Sequence, residues 1–509
     1  MSGKVYLVGA GPGDPSLLTL RGAELLARAQ VLIYDYLASP SLLALATNDC
    51  EKIYVGKIGS DHTFRQEEIN ALLVAKAKEG HLVVRLKGGD PYIFGRGGEE
   101  AQVLFASGVD FEVIPGVSSA IAAPAAAGIP LTHRELSSQV VILTGHEKPG
   151  KETSAHDWSA LARIGTLSVV MGVENLPYLC GRLIEAGKDP ATPAAMIQWG
   201  YTPRQKSVTA TLSTLPAKAK SAGLGAPSVV VIGPVVELSS SLGWFERRPL
   251  WGRRILVTRT RAQAGRLSAS LREMGAEVLE KPVIKIEPVA PNPALKDAFN
   301  RLDQYDWLIL TSPNGASIFM KSLWDAGLDS RALGKVKIAV IGPGTAEALV
   351  PYGLKPDLVP SQYIAEGLVE AFSHLSAETG PPSGQRRCLL ARSEIARAIV
   401  PVELKAMGYL VDEIPLYRTV SADGDTGPDS WSDLIANPPD LTTLTSASTA
   451  EGLASVIDCT KRHLFPTVSI GPITTQAAAE LGFTVKTQAL KATIGDLISA
   501  CVALSGKKP

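Results

Sequence analysis

The sequence predicts an α/β protein of several domains, and three observations carry that expectation. Apolar runs rich in β-branched residues end on glycine-rich turns that open helices, as where Leu82 to Leu86 meets Gly88-Gly89-Asp90-Pro91 and then Gly95 to Gly98. This pattern stops at a serine-rich, then arginine- and proline-containing stretch, Leu238 to Trp251, and restarts with a strand at Arg254. The second half then echoes itself: LILTSPNG (Leu308 to Gly315) returns as LTTLTSAST (Leu441 to Thr449), and KIAVIGPGTAEAL (Lys337 to Leu349) as TVSIGPITTQAAAEL (Thr467 to Leu481).

Composition narrows the function classes. Of 509 residues 45% are hydrophobic, enough for packed cores, and the length exceeds what one ordinary core holds. No apolar run reaches the length of a membrane span, and the start MSGKVYLVGAG lacks a charged region, a longer apolar region and a cleavage site. A cytoplasmic protein without a membrane partner is expected. Lysine plus arginine balances aspartate plus glutamate at 50 each, so no overall field recruits nucleic acid. An anionic substrate would need local cations: Arg85, Lys87, Arg96 and Arg134 in the first half, Arg259, Arg261, Arg266, Arg392 and Arg397 in the second. Most such residues are solvated surface. Five scattered cysteines without a CxxC pair and seven scattered histidines without HxxxH spacing argue against disulfides, zinc and iron–sulfur sites; no metal is expected.

In the first half, Lys4 to Gly13 reads as a strand entering a glycine turn. Ser16 to Ala29 reads as a helix with Ser16 at its N-cap, and Val31 to Asp35 as a strand ending on an acid. An acid about twenty residues past a glycine loop suits ribose recognition in a dinucleotide fold. Yet Gly9, Gly11 and Gly13 form GxGxG rather than GxGxxG, and Pro12 removes an N–H where a pyrophosphate needs one. A dinucleotide-dependent oxidoreductase with a small-molecule binding module behind it stands as the alternative. The loop Gly88 to Pro91 lets backbone approach a ligand, with Asp90 offering a carboxylate; a plain strand-to-helix connection is the blander reading. Between Gly56 and Asn70 a polar loop carries Lys57 and His62, chemically competent or merely exposed, into a helix around Glu67 to Glu79. FEVIPGVSSA (Phe111 to Ala120) is a strand meeting a Pro-Gly turn. The small residues from Ala122 to Gly128 suit close helix packing or a flat ligand, and Val140 to Gly145 is a further strand.

GAGPGDPSLLTLRG (Gly9 to Gly22), VRLKGGDPYIFGRGGEE (Val84 to Glu100), VIPGVSSA (Val113 to Ala120) and AGIPLTHR (Ala127 to Arg134) resemble, in order, the uroporphyrinogen-III C-methyltransferases of the tetrapyrrole methylase family. The resemblance runs from about Val5 to Val236 and includes TLSVVMGVENL (Thr166 to Leu176) and APSVVVIGPVV (Ala226 to Val236). It implies a two-lobed tetrapyrrole methylase fold, a homodimer, binding S-adenosyl-L-methionine between its lobes and releasing S-adenosyl-L-homocysteine. It puts cofactor contacts on Pro12, Gly88, Gly89, Asp90, Ile93, Ser118, Ser119, Met171 and Gly200, and makes Asp35 the proton acceptor and Lys57 the donor. One departure is Tyr201, after Gly200, where the family typically has threonine. Arg85, Arg96 and Arg134 are the expected partners of substrate carboxylates.

In the second half each echoed turn sets hydroxyls and N–H groups at a strand end, suited to carboxylates and equally to helix N-capping. They are Thr311, Ser312, Asn314 and Thr345 from one lobe and Ser446, Ser448, Thr449, Thr474 and Thr475 from the other. With DLVP (Asp357 to Pro360), ARSEIAR (Ala391 to Arg397) and IPLYRTV (Ile414 to Val420), they resemble uroporphyrinogen-III synthase across about Arg253 to Leu504. That implies two flavodoxin-like lobes joined by a two-strand connection, and dehydration and cyclisation of hydroxymethylbilane with inversion of ring D. Tyr417 matches the tyrosine assisting loss of the hydroxyl; a packed strand tyrosine is the blander reading. The expected organisation is a methyltransferase over residues 1–240, a linker over 241–252 and a synthase over 253–509, its outer lobe 253–286 and 419–509 and its inner lobe 287–418. Together the halves would make uroporphyrinogen III and methylate it twice to precorrin-2, toward sirohaem or cobalamin.

Overall fold

In a computed structural model the chain is described over residues 3–37, 39–56, 64–146, 156–259, 261–379, 386–422 and 430–506. It divides into two compact units, the first of residues 1–253 with 272–277 and the second of 254–271 with 278–508.

The first unit holds two sheets. β1 (Lys4–Gly9), β2 (Val31–Tyr34), β3 (Glu51–Tyr54), β4 (Leu82–Lys87) and β5 (Asp110–Ile114) form a parallel sheet in the order β3-β2-β4-β1-β5. β1 and β4 are central and covered on both faces, which is why their sequences are nearly continuous apolar runs rather than alternating ones. Leu7, Leu32 and Leu86 are fully buried, each contributing about 1.5–3 kcal/mol of transfer free energy. The first helix is Leu20–Arg28, capped by Thr19, whose hydroxyl accepts from the Gly22 N–H at 3.1 Å. The cap expected at Ser16 is therefore corrected: Ser16 lies in the 3-10 turn Pro15–Leu17 and donates to Asp14.

Strand order decides the alternative reading. A dinucleotide-binding sheet runs 3-2-1-4-5, with its first two strands adjacent. Here β4 lies between β1 and β2. From β1 the chain leaves toward β2 and from β4 toward β5, in opposite directions, so the switch point of this sheet lies at the carboxyl ends of β1 and β4.

β6 (Val140–Thr144), β7 (Thr166–Val170), β8 (Pro193–Gln198), β9 (Lys206–Thr211) and β10 (Ser228–Ile232) make the second sheet, β6-β7-β10-β8-β9, parallel only between β6 and β7. The helix Ser119–Ala126 packs on it through Ala120, Ala123 and neighbours, and Ser168 of β7 donates to the Ala120 carbonyl at 2.8 Å. The small residues thus serve close packing.

The second unit adds, among the described residues, β11 (Arg254–Val257), β12 (Glu277–Glu280), β13 (Ile284–Pro288), β14 (Trp307–Leu310), β15 (Lys337–Val340), β16 (Arg387–Ser393), β17 (Leu410–Ser421), β18 (Leu441–Leu444), β19 (Thr467–Ser469) and β20 (Val485–Gln488). One sheet runs β12-β11-β18-β19-β20, the flavodoxin order 2-1-3-4-5. The other runs β13-β17-β16-β14-β15, the same 2-1-3-4 series closed by antiparallel β13. β13 and β17, Ile284 opposite Ser421 through Pro288 opposite Tyr417, form a two-strand connection between the sheets.

Candidate functional site

At the switch point of the first sheet three backbones meet. Gly11 and Gly89 exchange N–H···O bonds of 3.2 and 2.8 Å, bridging the loops after β1 and β4. A Cβ on Gly9 would lie 2.5 Å from the Gly116 Cα and 2.7 Å from the Gly89 oxygen, so no side chain fits among the ends of β1, β4 and β5. The Asp90 carboxylate holds this junction from within. It accepts from the N–H groups of Tyr92 at 2.8 Å, Ile93 at 3.1 Å and Gly116 at 2.9 Å. Its expected part as a ligand contact is thereby joined to a fixed structural one.

Around this floor lie several of the other expected cofactor residues. Gly89 packs on Ser118 and the Ser119 N–H, and Ser118 caps the helix that follows. Gly200 sits against Ala123 of that helix, and Gly13, beside Pro12, would push a Cβ to 2.6 Å from Thr202 Cγ2. Gly88 packs on Leu37. Leu37, Ile93 and Met171 leave apolar side chains exposed, Met171 by 52%. A backbone floor with an apolar rim suits a ligand with a flat ring and a small polar end, and S-adenosylmethionine fits that description.

Strain is concentrated here. Among the described residues, the non-glycine residues with left-handed φ are Phe94, Arg96, Met171, Trp199 and Tyr201, on the loops after β4, β7 and β8. Each such conformation costs on the order of 1–3 kcal/mol and persists only where the surroundings over-determine it.

Asp35 follows β2 directly, half-buried. Its Oδ2 accepts from Arg85 at 3.1 Å and its Oδ1 from the Leu37 N–H at 3.2 Å. Arg85, only 3% exposed, also donates to Glu100 Oε1 at 3.3 Å and to the Leu86 carbonyl. Lys87 and Gln66 reach the same Glu100 oxygen at 2.8 and 3.2 Å. Burial, and after it the Arg85 charge, pulls the Lys87 ammonium below its ordinary range despite Glu100. Arg85 is thus corrected as a substrate ligand: it is sealed in the core with its donors engaged, and what it orients is Asp35. Arg96 is exposed and forms a fork with Glu99, Nε to Oε1 at 2.9 Å and an NH2 to Oε2 at 2.6 Å, which raises its pKa further. Arg134 is exposed beside the small bridge between His133 and Ser137. Lys57 and His62 lie outside the described residues.

Sequence reasoning missed Glu99, Glu100, Tyr36 and Trp199. Tyr36 and Trp199 meet edge to face at 6.2 Å, linking the loop after β2 to the loop after β8, and Arg204 lies over Trp199 at 4.2 Å. Nothing in GGEE tells which acid turns inward. The i,i+3 spacing from Arg96 is the signal that could have found Glu99.

In the second unit the switch points fall between β14 and β16 and between β11 and β18. Ser312 ends the loop after β14. Its hydroxyl caps the helix Pro313–Asp325 by accepting from Gly315 N–H at 3.0 Å and meets the Tyr417 hydroxyl at 2.8 Å. Tyr417 is 6% exposed, and a bulge at Arg392–Ser393 brings it level with Ser393. Burial pushes its phenol up from the ordinary value, against hydrogen bonds from Ser312 and Ser393. Ser446 caps the helix Ala447–Val456, accepting from the Thr449 N–H at 3.2 Å.

Thr345 and Thr474, expected as partners of substrate carboxylates, are buried within the first turns of Pro343–Glu347 and Pro472–Glu480, which argues against that contact. Thr475 is engaged by Ser469 and Gln488. Thr311, Asn314 and Ser448 are half-buried beside the capped turns. Arg392 is buried against Glu413 at 2.7 Å, and Arg397 pairs with Glu366. Arg266 pairs with Glu347, and Arg259 is largely buried, its pKa lowered by that burial. The side chain of Arg261 is outside the described set. Among the described residues no group of three or more His, Cys, Asp or Glu is placed to hold a metal, and no helix is long and apolar enough to cross a membrane.

Comparison with known proteins agrees with this division. A family model described as Tetrapyrrole (Corrin/Porphyrin) Methylases matches residues 4–216, and one described as Uroporphyrinogen-III synthase HemD matches residues 265–499. Porphyrin biosynthesis protein HemD of Ruminiclostridium josui is 38% identical over 505 residues, 99% of this chain and 98% of that protein. An S-adenosyl-L-methionine-dependent uroporphyrinogen III methyltransferase of Methanosarcina barkeri is 51% identical over 242 residues, 47% of this chain and 95% of that protein. Among solved structures, uroporphyrin-III C-methyl transferase from Thermus thermophilus complexed with S-adenyl homocysteine is 41% identical, with a TM-score of 0.40, covering 46% of this chain and 100% of that one. Matched end to end by such a relative, the chain belongs to the family in which a tetrapyrrole methylase is joined to a uroporphyrinogen-III synthase.

Proposed function

We propose that the chain catalyses two consecutive steps of tetrapyrrole biosynthesis. The synthase half, residues 253–509, cyclises hydroxymethylbilane to uroporphyrinogen III with inversion of ring D. The methyltransferase half, residues 1–240, converts that product to precorrin-2. The observation that carries the reading is the crevice at the β1 and β4 ends, floored by Gly11 and Gly89 and edged by Asp35.

S-adenosylmethionine, when bound, supplies an already activated methyl group. Pro12, Gly88, Gly89, Asp90, Ile93, Ser118, Ser119, Met171 and Gly200 hold and orient it. The pyrrole carbon of the substrate is electron-rich, so the chain contributes alignment, exclusion of water and removal of one proton. Asp35, kept in place by Arg85, is the acceptor of that proton, and Lys57 the donor in the same cycle. Arg96 and Arg134, both exposed, are the cations offered to substrate carboxylates.

In the second half, loss of water from hydroxymethylbilane leaves a reactive cation that needs little further activation. Tyr417, a phenol neutral at its ordinary pKa and pushed further up by burial, donates a hydrogen bond to the departing hydroxyl. Thr311, Ser312, Asn314, Ser446 and Ser448 face the carboxylates at the two switch points. The enzyme is a homodimer through its methyltransferase half and works in the cytoplasm.

The test is incubation with hydroxymethylbilane and methyl-labelled S-adenosylmethionine, followed by identification of the tetrapyrrole. Doubly labelled precorrin-2 is the expected product. Accumulation of the type I isomer would remove the synthase assignment, and unlabelled uroporphyrinogen III the methyltransferase assignment. Light scattering of the purified protein checks the dimer.

A further inference from the structure

We propose that the stretch joining the two halves, Trp244 to Arg248, is part of the methyl donor's site, and that Glu246 is a positioning residue for the Gly200–Tyr201 turn. This rests on the reading of Gly200 as a cofactor contact. Two observations independent of that reading locate the stretch. Phe245 is 1% exposed, and its ring lies 5.3 Å from Tyr201 and 5.4 Å from Trp244, with the Arg248 guanidinium 3.7 Å above it. Trp244 donates its indole N–H to the Ala125 carbonyl at 3.1 Å, on the helix whose Ala123 backs Gly200. A stretch that reads as a linker because Ser239 to Ser241 precede it and Pro249 follows is folded onto the methylase core.

A polar relay then ties it to the turn. The Tyr201 N–H donates to Gln205 Oε1 at 3.0 Å, and Gln205 Nε2 donates to Glu246 Oε1 at 3.1 Å. Ser207 donates to the same Glu246 oxygen at 2.8 Å. Gln205 is fully buried, and its amide has one donor end and one acceptor end. An ionised carboxylate only accepts. Glu246 therefore selects the orientation in which the Gln205 oxygen faces Tyr201. Trp199 and Tyr201, on either side of Gly200, are both left-handed, with φ of 50° and 64°. Such a turn keeps its shape only while its partners do. On its far side Thr202 meets Gly13, next to Pro12. The turn is clamped between the first glycine loop and the junction.

The experiment uses the full chain. Titration calorimetry with S-adenosylhomocysteine and steady-state methyl transfer are measured for wild type, Glu246→Ala and Glu246→Gln. Glu246→Ala is expected to weaken S-adenosylhomocysteine and raise KM for S-adenosylmethionine about ten-fold, the scale of one hydrogen bond to a charged group. kcat should change less than about two-fold. Glu246→Gln, whose amide oxygen still accepts from Gln205, should return both to within about three-fold of wild type. Wild-type affinity in Glu246→Ala overturns the proposal, as does equal weakening in both variants. If Glu246→Ala does not fold, Glu246→Asp, which retracts the carboxylate by one methylene, is expected to weaken binding in the same direction, and wild-type affinity there overturns it. Failure of the wild type to bind S-adenosylhomocysteine is a separate result, which removes the methyltransferase reading and this proposal with it.

Discussion

The two units build their crevices from different materials. In the first, the floor is glycine backbone without room for a methyl group, the flanking turns carry the left-handed residues, and two buried cations share one buried carboxylate. In the second, serine hydroxyls cap helices at the switch points, and among the described residues no non-glycine residue is left-handed. Methyl transfer needs one fixed line between donor and acceptor, whereas inverting a ring needs a surface that holds carboxylates while the rest moves. The contrast is between rigidity held by strain and adaptable polar contact.

The strongest way to break that contrast is at Glu100. Its removal in Glu100→Ala leaves Arg85 and Lys87 buried without their shared partner, and a loss of about 3–5 kcal/mol is expected by denaturant unfolding. The sign with pH is fixed. Glu100 raises the folded pKa of Lys87, so without it burial and Arg85 lower that pKa further, and the deficit shrinks as pH rises from the variant's value to the wild type's, both below 10.5, and is constant above. A deficit that grew with pH would contradict the buried-cation account.

Next comes Gly116→Ala. The added Cβ meets the Gly89 carbonyl oxygen and lies 2.7 Å from the Gly9 Cα, all backbone, so nothing flexible can yield. A loss of about 1–3 kcal/mol is expected, with methyl transfer abolished and conversion of hydroxymethylbilane retained. Methyl transfer near the wild-type rate would show that the floor is not tight.

The smallest effect on stability belongs to Tyr417→Phe, about 1 kcal/mol, since Ser312 and Ser393 each lose one neutral partner. Cyclisation should nonetheless slow by about a hundred-fold if the phenol donates to the departing hydroxyl. The raised pKa keeps that phenol neutral below 10.0, so its share of stability is present there and falls away as pH rises through the folded value. An alkaline limb in wild-type cyclisation below that pH, missing in Tyr417→Phe, would contradict the assignment.

Much of this was legible in the chain. β-branched runs broken by glycine marked β1, β4 and β5, and the turns Thr311-Ser312 and Thr445-Ser446 marked the switch points of the second unit. What stayed hidden depends on neighbours remote in sequence. No pattern in Leu82–Lys87 says that Arg85 and Lys87 point into a core, because the partner that allows it, Glu100, is on the next helix. No pattern says that β4 separates β1 from β2, the fact that sets aside the dinucleotide fold. The internal echo was real but local: β14 with β15 and β18 with β19 are the same strand–helix–strand unit, placed at positions 1–2 of one sheet and 3–4 of the other. In the junction, Trp244, Phe245 and Leu250 were the apolar signal that three serines and a proline outweighed.

The discontinuous sheet of the second unit has a consequence for the growing polypeptide. β11 and β12 must wait unpaired on one side until β18, β19 and β20 have left the ribosome, long after every strand from β1 to β10 has emerged. The methylase can be complete while the synthase is still unfinished, so each newly made molecule acquires the consumer of uroporphyrinogen III before its supplier. A chain interrupted during translation between Glu277 and β18 would draw on that pool without ever adding to it.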